Sequence, residues 1–349
     1  MKKKIINIGK SLLFFMTGFV ILYLVYQKQN KAFQADCAIK CIPPEECSLW
    51  AKVSTDISNA DILWVVIPMV LFLLTNVLRA LRWKMMFRAI GYNPAFVNLF
   101  GTIMVSYLAN LGIPRSGEII RAGMISQYED IPVETSLGTI FTDRIFDVLM
   151  LILVIGITLT WGGSDLISYF NANMNLSGKL DLLIQNPLLI SIAGITVLAG
   201  TLLLYTNRKA IFNTPAGKKI IGLINGFAEG VRSVARIQHF WLFLLYTILI
   251  WVIYYFMLFL AFRSFEPTMH LGPIAGLVVF MFGSLGILFP SPGGMGSYHF
   301  LVGEALAMYS ISGSDAFSFA NIVFFSIQLF VNIIFGVLSL IILPWVNKK

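Results

Sequence analysis

Arg115, Glu118 and Arg121 recur at three-residue intervals directly after Pro114, and Asp143, Arg144 and Asp147 follow on a second segment, all within otherwise apolar sequence. Residues three and four apart share a helix flank, so the first set would present an arginine–carboxylate–arginine surface suited to a phosphate. The second would form an acidic stripe. A half-helix running from Pro114 to about Gln127 would add free backbone donors and a positive partial charge at its start. Ionisable groups at membrane depth cost about 2.5–3.5 kcal/mol each on insertion scales and mark partners or pathways. The two aspartates are therefore expected to pair with the arginines of this break, or to relay protons.

A second break, Phe289-Pro290-Ser291-Pro292-Gly293-Gly294-Met295-Gly296, resembles a phosphate-cradling loop in composition only, since it has no P-loop lysine. Gly293, Gly294 and Gly296 would let backbone approach a ligand and start another half-helix, with His299 and Glu304 as its polar side chains. Glu304 is the candidate coupling carboxylate. Arg79 and Arg82 stand near the end of an apolar run and are expected to reach headgroup phosphates as ordinary basic residues of the inner face. Their spacing would also let one of them face the first break, beside Asn110.

The elements that position these residues are membrane helices. The chain has 349 residues, 58% hydrophobic and 12% charged, with mean hydropathy +0.82, a composition that excludes a water-soluble domain of this length. Apolar runs near the roughly 20 residues that cross a bilayer occupy 5–26, 62–81, 137–161, 187–205, 240–262 and 317–346. The run at 5–26 reads as an uncleaved first span. With the amino terminus inside, all of the 25 basic residues except Lys28, Lys31, Lys40, Lys52, Lys179 and Arg263 fall on the inner side. That supports both termini on the inner, cytoplasmic side. Cys37, Cys41 and Cys47 fall in the outer loop 27–60, where one disulfide and one free thiol fit better than a metal site.

Even crossing requires each broken segment to leave on the side it entered. The fold class is therefore an all-α polytopic integral membrane protein with six full spans plus two re-entrant helical hairpins, built on the breaks at 110–121 and 289–296. Element starts repeat at similar spacing, from residue 5 to 61 and from 187 to 240, then from 61 to 114 and from 240 to 290. The two stretches 1–161 and 187–349 would be halves of inverted topology, an arrangement that places substrate sites at the midplane in many transporters. The connector 207–238 is basic and would lie on anionic headgroups. Residues 162–186 form a short outer connector.

The set Arg79-x-x-Arg82-Trp83, Asn110-x-x-x-Pro114-x-x-Gly117-Glu118-x-x-Arg121, Asp143-Arg144-x-x-Asp147 and Pro292-Gly293-Gly294-x-Gly296 resembles the transmembrane family of lysylphosphatidylglycerol synthases, also called flippase-like or UPF0104 proteins. The resemblance covers nearly the whole chain. It implies the translocating half of those proteins without their soluble aminoacyl transferase. Where a carboxylate would follow the glycine loop soon after, this sequence has Ser297, Tyr298 and His299, and its next acid is Glu304.

The expectation is a lipid translocase for a phospholipid, aminoacylated lipid or glycolipid headgroup, with membrane lipids as partners and without nucleic acid, cofactor or metal. An accessory membrane protein that binds a lipid- or glycan-modifying transferase or a polyprenyl carrier is the alternative. No Ser/His/Asp set, HExxH, Rossmann or Walker signature is present, and a membrane transferase would have only Asp143 or Asp147 as its base.

Overall fold

The computed structural model describes residues 2–39, 43, 47–113, 115–174, 237–289 and 291–348, and every regular element among them is helical. Helix α1 (Lys2–Ile39) covers the first apolar run and continues through 27–39, a stretch without glycine or proline to stop it. Cys37 thus sits in a last helical turn, not in a loop, and it is bonded to Cys47. Cys41 lies outside the described residues. Ser48 caps α2 (Leu49–Asn59) by accepting from Ala51 N at 3.3 Å. Leu49 and Val53, four apart, are buried with Val25 and Phe317. The same helix is clasped by Lys52, whose Nζ is 2.7 Å from both Asp56 and Asp315. Burial works against that ammonium, but the two carboxylates prevail and raise its pKa.

Asp61 caps α3 (Ile62–Ala89). This helix lies antiparallel to α8 (Phe240–Ala261). Asp61 N donates to Ser264 O at one end, and Leu81 and Arg88 line a common groove with His239 and Leu242 at the other. The helix runs on past Leu81, where apolar sequence gives out, to Ala89.

The first hairpin consists of α4 (Phe96–Gly112) and α5 (Gly117–Glu129). Its arms close on each other. Glu129 Oε1 accepts from Ala95 N (2.8 Å) and Asn98 Nδ2 (2.6 Å), so the end of α5 returns to the start of α4. Asn98 also exchanges hydrogen bonds with Asn347 (2.9 and 2.7 Å), which caps the last helix of the chain's described residues, Asn332–Val346. At the break, Asn110 Oδ1 accepts from Gly117 N (2.8 Å) and the Ser116 hydroxyl donates to Ile113 O (2.8 Å). Free backbone groups are costly inside a membrane, and here the chain's own side chains bind them.

Helix α6 (Val133–Trp161) is followed by α7 (Gly163–Met174), turned from it by 80°. The outer connector therefore begins as helix. The second hairpin is α9 (Pro273–Leu288), a short 3-10 turn (Pro292–Gly294) and α10 (Ser297–Ala307). A Cβ on Gly286 would lie 2.7 Å from Tyr298 Cα, so the arms touch backbone to backbone. Helix α11 (Gly313–Val323), a π-helical stretch (Phe324–Val331) and α12 (Asn332–Val346) form one continuous rod. Gly336 admits Leu108, and Gly101 admits Leu343, where α12 crosses α4.

The helices Ile62–Ala89, Phe240–Ser264 and Gly313–Val346 are each long and apolar enough to span a membrane, and α6 with its bent continuation makes a fourth candidate. The apolar run at 187–205, and the connector 207–238 as far as residue 236, lie outside the described residues.

Two glycine substitutions should move stability in opposite directions. Gly286→Val forces the arms of the second hairpin apart and should cost about 1–3 kcal/mol. Gly156→Ala, with nothing within 4 Å of the added Cβ, should gain about 0.5–1 kcal/mol from helix propensity. Thermal unfolding in detergent micelles reads both; an unchanged midpoint for Gly286→Val would mean the arms do not touch.

Candidate functional site

Arg79 and Arg82 share a face of α3, and Asp143 and Asp147 share a face of α6. These two faces meet. Arg79 Nη1 donates to Asp143 Oδ2 (3.1 Å) and Asp147 Oδ2 (2.9 Å). Arg82 Nη2 donates to Asp143 Oδ1 and, at 2.9 Å, to Asp147 Oδ1. Every carboxylate oxygen of the pair is thereby taken by an arginine. Of the other Nη donors, Arg82 Nη1 reaches the Thr247 hydroxyl of α8 at 3.2 Å and Arg79 Nη2 the Tyr254 hydroxyl at 3.4 Å, while the Nε of each arginine has no hydrogen-bond partner among the described residues. Arg79, Arg82 and Asp143 are all buried.

This pairing corrects the view of Arg79 and Arg82 as residues that reach out to headgroups. Both point inward because two carboxylates on a neighbouring helix offer closer compensation than water does. It also corrects the main partners of the aspartates, which are the arginines of α3. With all four oxygens occupied, neither aspartate is a free base or an open proton relay in this arrangement.

Trp83, next to Arg82, faces α5. Its indole N–H donates to the Thr139 hydroxyl (2.9 Å), and its ring carries the Arg121 guanidinium 3.5 Å from its centre. Arg121 is 1% exposed; among the described residues, its nearest carboxylate oxygen is Asp143 Oδ2 at 4.0 Å, and its Nε and Nη2 have no hydrogen-bond partner. Arg144 pairs with Glu118 at 3.2 Å and Asp147 at 3.5 Å, half-exposed at the edge of the group. Arg79, Arg82, Arg121 and Arg144 thus face Asp143, Asp147 and Glu118, which leaves one formal positive charge over.

Arg115, Glu118 and Arg121 do not share a flank. Helix α5 begins at Gly117, so Arg115 stands before it, exposed, with φ at +61°. Glu118 turns outward to Arg144, while Arg121 is swung inward. Asn110 is spent on closing the break.

The glycine loop contributes closeness to protein. Gly293, Gly294 and Gly296 all have positive φ, and Cβ atoms there would meet Leu111 of the first hairpin (2.8 Å), Ile287 (3.0 Å) and Leu22 of α1 (2.7 Å). His299 is buried between Phe324 (4.8 Å between ring centres), Phe317 and Tyr298. Glu304 pairs with Lys28 of α1 (3.2 Å) and accepts from the Tyr169 hydroxyl of α7 (2.9 Å), joining none of the arginines.

Thr139, Thr247 and Tyr254 escaped the sequence reading. Thr247 and Tyr254 lie seven apart, two helical turns on one face of an apolar span, and that spacing of polar groups was the available signal.

Among known proteins, the family described as "Lysylphosphatidylglycerol synthase TM region" matches residues 48–336, a stretch that holds the whole charge group and both hairpins. The chain is similar to the glycosyltransferase AglD of Haloferax volcanii, at 26% identity over 122 residues, 33% of this chain and 20% of that protein. It is also similar to a UPF0104 membrane protein of Methanocaldococcus jannaschii, at 27% identity over 99 residues, 28% of this chain and 30% of that protein. The matched stretches therefore span less than a third of either relative. No solved structure matches.

Removing Asp143 leaves two buried guanidiniums sharing one carboxylate. Asp143→Ala should cost about 3–5 kcal/mol, and adding Arg82→Met should restore part of that loss. Glu118→Ala breaks only a half-exposed pair and should cost at most about 1 kcal/mol. A double-mutant cycle on unfolding in micelles measures the coupling, and additive losses would mean that the two ions do not interact.

Proposed function

The chain belongs to the lysylphosphatidylglycerol synthase TM region family, and on that premise we propose that this multi-pass membrane protein moves a lipid headgroup between leaflets. The substrate would be a phospholipid, aminoacylated lipid or glycolipid of a bacterial inner membrane, with both termini of the protein in the cytoplasm. The observation that carries the reading is Arg121. It is a cation held in the interior of a charge group that is one carboxylate short, and two of its nitrogens have no partner. A phosphate supplies the missing charge and the missing acceptors. Trp83 holds the guanidinium plane in place for it.

In this reading the half-exposed Arg144–Glu118 pair is the side from which a headgroup arrives, and Glu118 faces any cationic part of it. The acyl chains stay in the bilayer. Arg115, outside the helix and exposed, has a smaller part than its place in the sequence implied. The glycine loop acts through packing, because Gly293 lets the second hairpin rest on Leu111 of the first.

A second reading follows from the Haloferax relative, whose name is that of a glycosyltransferase. The membrane region would then itself transfer sugar to a lipid. Incubating the pure protein with a radiolabelled sugar donor and membrane lipids distinguishes the two, since labelled lipid forms only under the second.

In liposomes with fluorescent phospholipid, Arg121→Ala should slow transbilayer movement roughly tenfold, equivalent to about 1.4 kcal/mol. Arg115→Ala should change the rate by no more than about twofold. Equal effects of the two substitutions, or no movement by the unaltered protein, would remove the basis for this function.

A further inference from the structure

Helix α3 carries two further cations beyond the matched ones, and these have no carboxylate. Arg79 and Arg82 share Asp143 and Asp147, but Lys84 and Arg88 form no ion pair among the described residues. Arg88 spends only its Nε, on Asn93 Oδ1 at 3.1 Å. Both line a groove of about 270 Å³ at the seam between the end of α3 and the start of α8, together with His239. The rest of its described wall is mostly apolar, from Leu81, Met85, Phe96 and Leu242, and no acidic side chain contributes among the described residues. Closed ligand pockets usually measure about 300–1,000 Å³, so this volume suits one end of a longer molecule.

We propose that this groove holds a resident anionic phospholipid, with its phosphate against Lys84, Arg88 and His239 and the start of an acyl chain along Leu81, Met85 and Leu242. The polarity is ordered as such a lipid requires. Lys84 and Arg88 occupy the last turns of α3 and His239 the residue before α8, at the same end of an antiparallel pair and beside an apolar wall. Residues 207–238, which lead into α8, are a poor occupant on charge grounds, because Arg208, Lys209, Lys218, Lys219, Arg232 and Arg236 stand against Glu229 alone. This site is separate from Arg121, and its occupancy stands whether or not the protein moves lipid.

Native mass spectrometry of the purified full chain, titrated with phosphatidylglycerol or phosphatidylcholine in detergent, tests it. The unaltered protein should retain phosphatidylglycerol in preference to phosphatidylcholine. Lys84→Gln and Arg88→Gln should each weaken that binding roughly fivefold, and together more. The losses from Lys84→Gln and Arg88→Gln should persist at the same size in an Arg121→Ala background, which separates this site from the transport reading. Unfolding midpoints establish that the variants are folded, as substitutions of half-exposed and exposed residues should be. Equal binding of the two lipids would reduce the groove to an apolar surface and overturn the proposal. So would insensitivity to both glutamine substitutions, or displacement of the lipid by millimolar inorganic phosphate, which would identify a free-phosphate site.

Discussion

The crossed pairing of Arg79 and Arg82 with Asp143 and Asp147 governs how the helices around it are arranged. Four ions in an apolar setting are costly unless each meets an opposite charge with good hydrogen-bond geometry. That requirement fixes the rotation of α3 against α6, since only one face of each helix carries the charges. Helix α8 completes the group through Thr247 and Tyr254. With Arg82 turned to α6, the adjacent Trp83 points to another side of α3, where it receives Arg121 from α5. The position of the first hairpin thus follows from a pairing made between two other helices.

The hairpins meet the backbone requirement of a membrane interior in different ways. In the first, Asn110 and Ser116 bind the groups freed by the break, and Glu129 accepts from Ala95 N at the arm ends. In the second, the Ser297 hydroxyl donates to the carbonyls of Gly286 (2.7 Å) and Gly294 (3.1 Å), and three glycines at positive φ fold the tip close to α1, α9 and the first hairpin. Charge is therefore concentrated on one hairpin and close packing on the other. Their contact at Gly293 and Leu111 joins the two without any polar group between them.

Much of this architecture was legible in local sequence. The apolar runs at 62–81, 137–161, 240–262 and 317–346 each became helix, and the two Gly/Pro interruptions became the turns of helical hairpins. Asp143 and Asp147 were recognisable as an acidic face from their spacing. The misreading of Arg79 and Arg82 has a definite cause. The positive-inside rule assumes that basic residues flank a span, and the apolar run stops at Leu81. The helix itself continues to Ala89 through residues of good helix propensity, so these arginines lie well inside it and not at its end. Arg115 was misplaced for the opposite reason, because the half-helix starts later than its proline suggested.

By itself, the sequence determined that the protein is a bundle of membrane helices, where two of them break, and which helices carry charge. These properties depend on composition and on periodicity within single segments, where neighbours along the chain are neighbours in space. Only the tertiary structure decided which cation meets which anion. Arg82 and Asp143, Arg121 and Trp83, and Glu304 and Lys28 are distant in sequence, and Coulomb attraction carries no preference for sequence distance. The choice was made by helix packing, which brought some arginines to carboxylates and left Arg121 beside an aromatic ring with donors to spare.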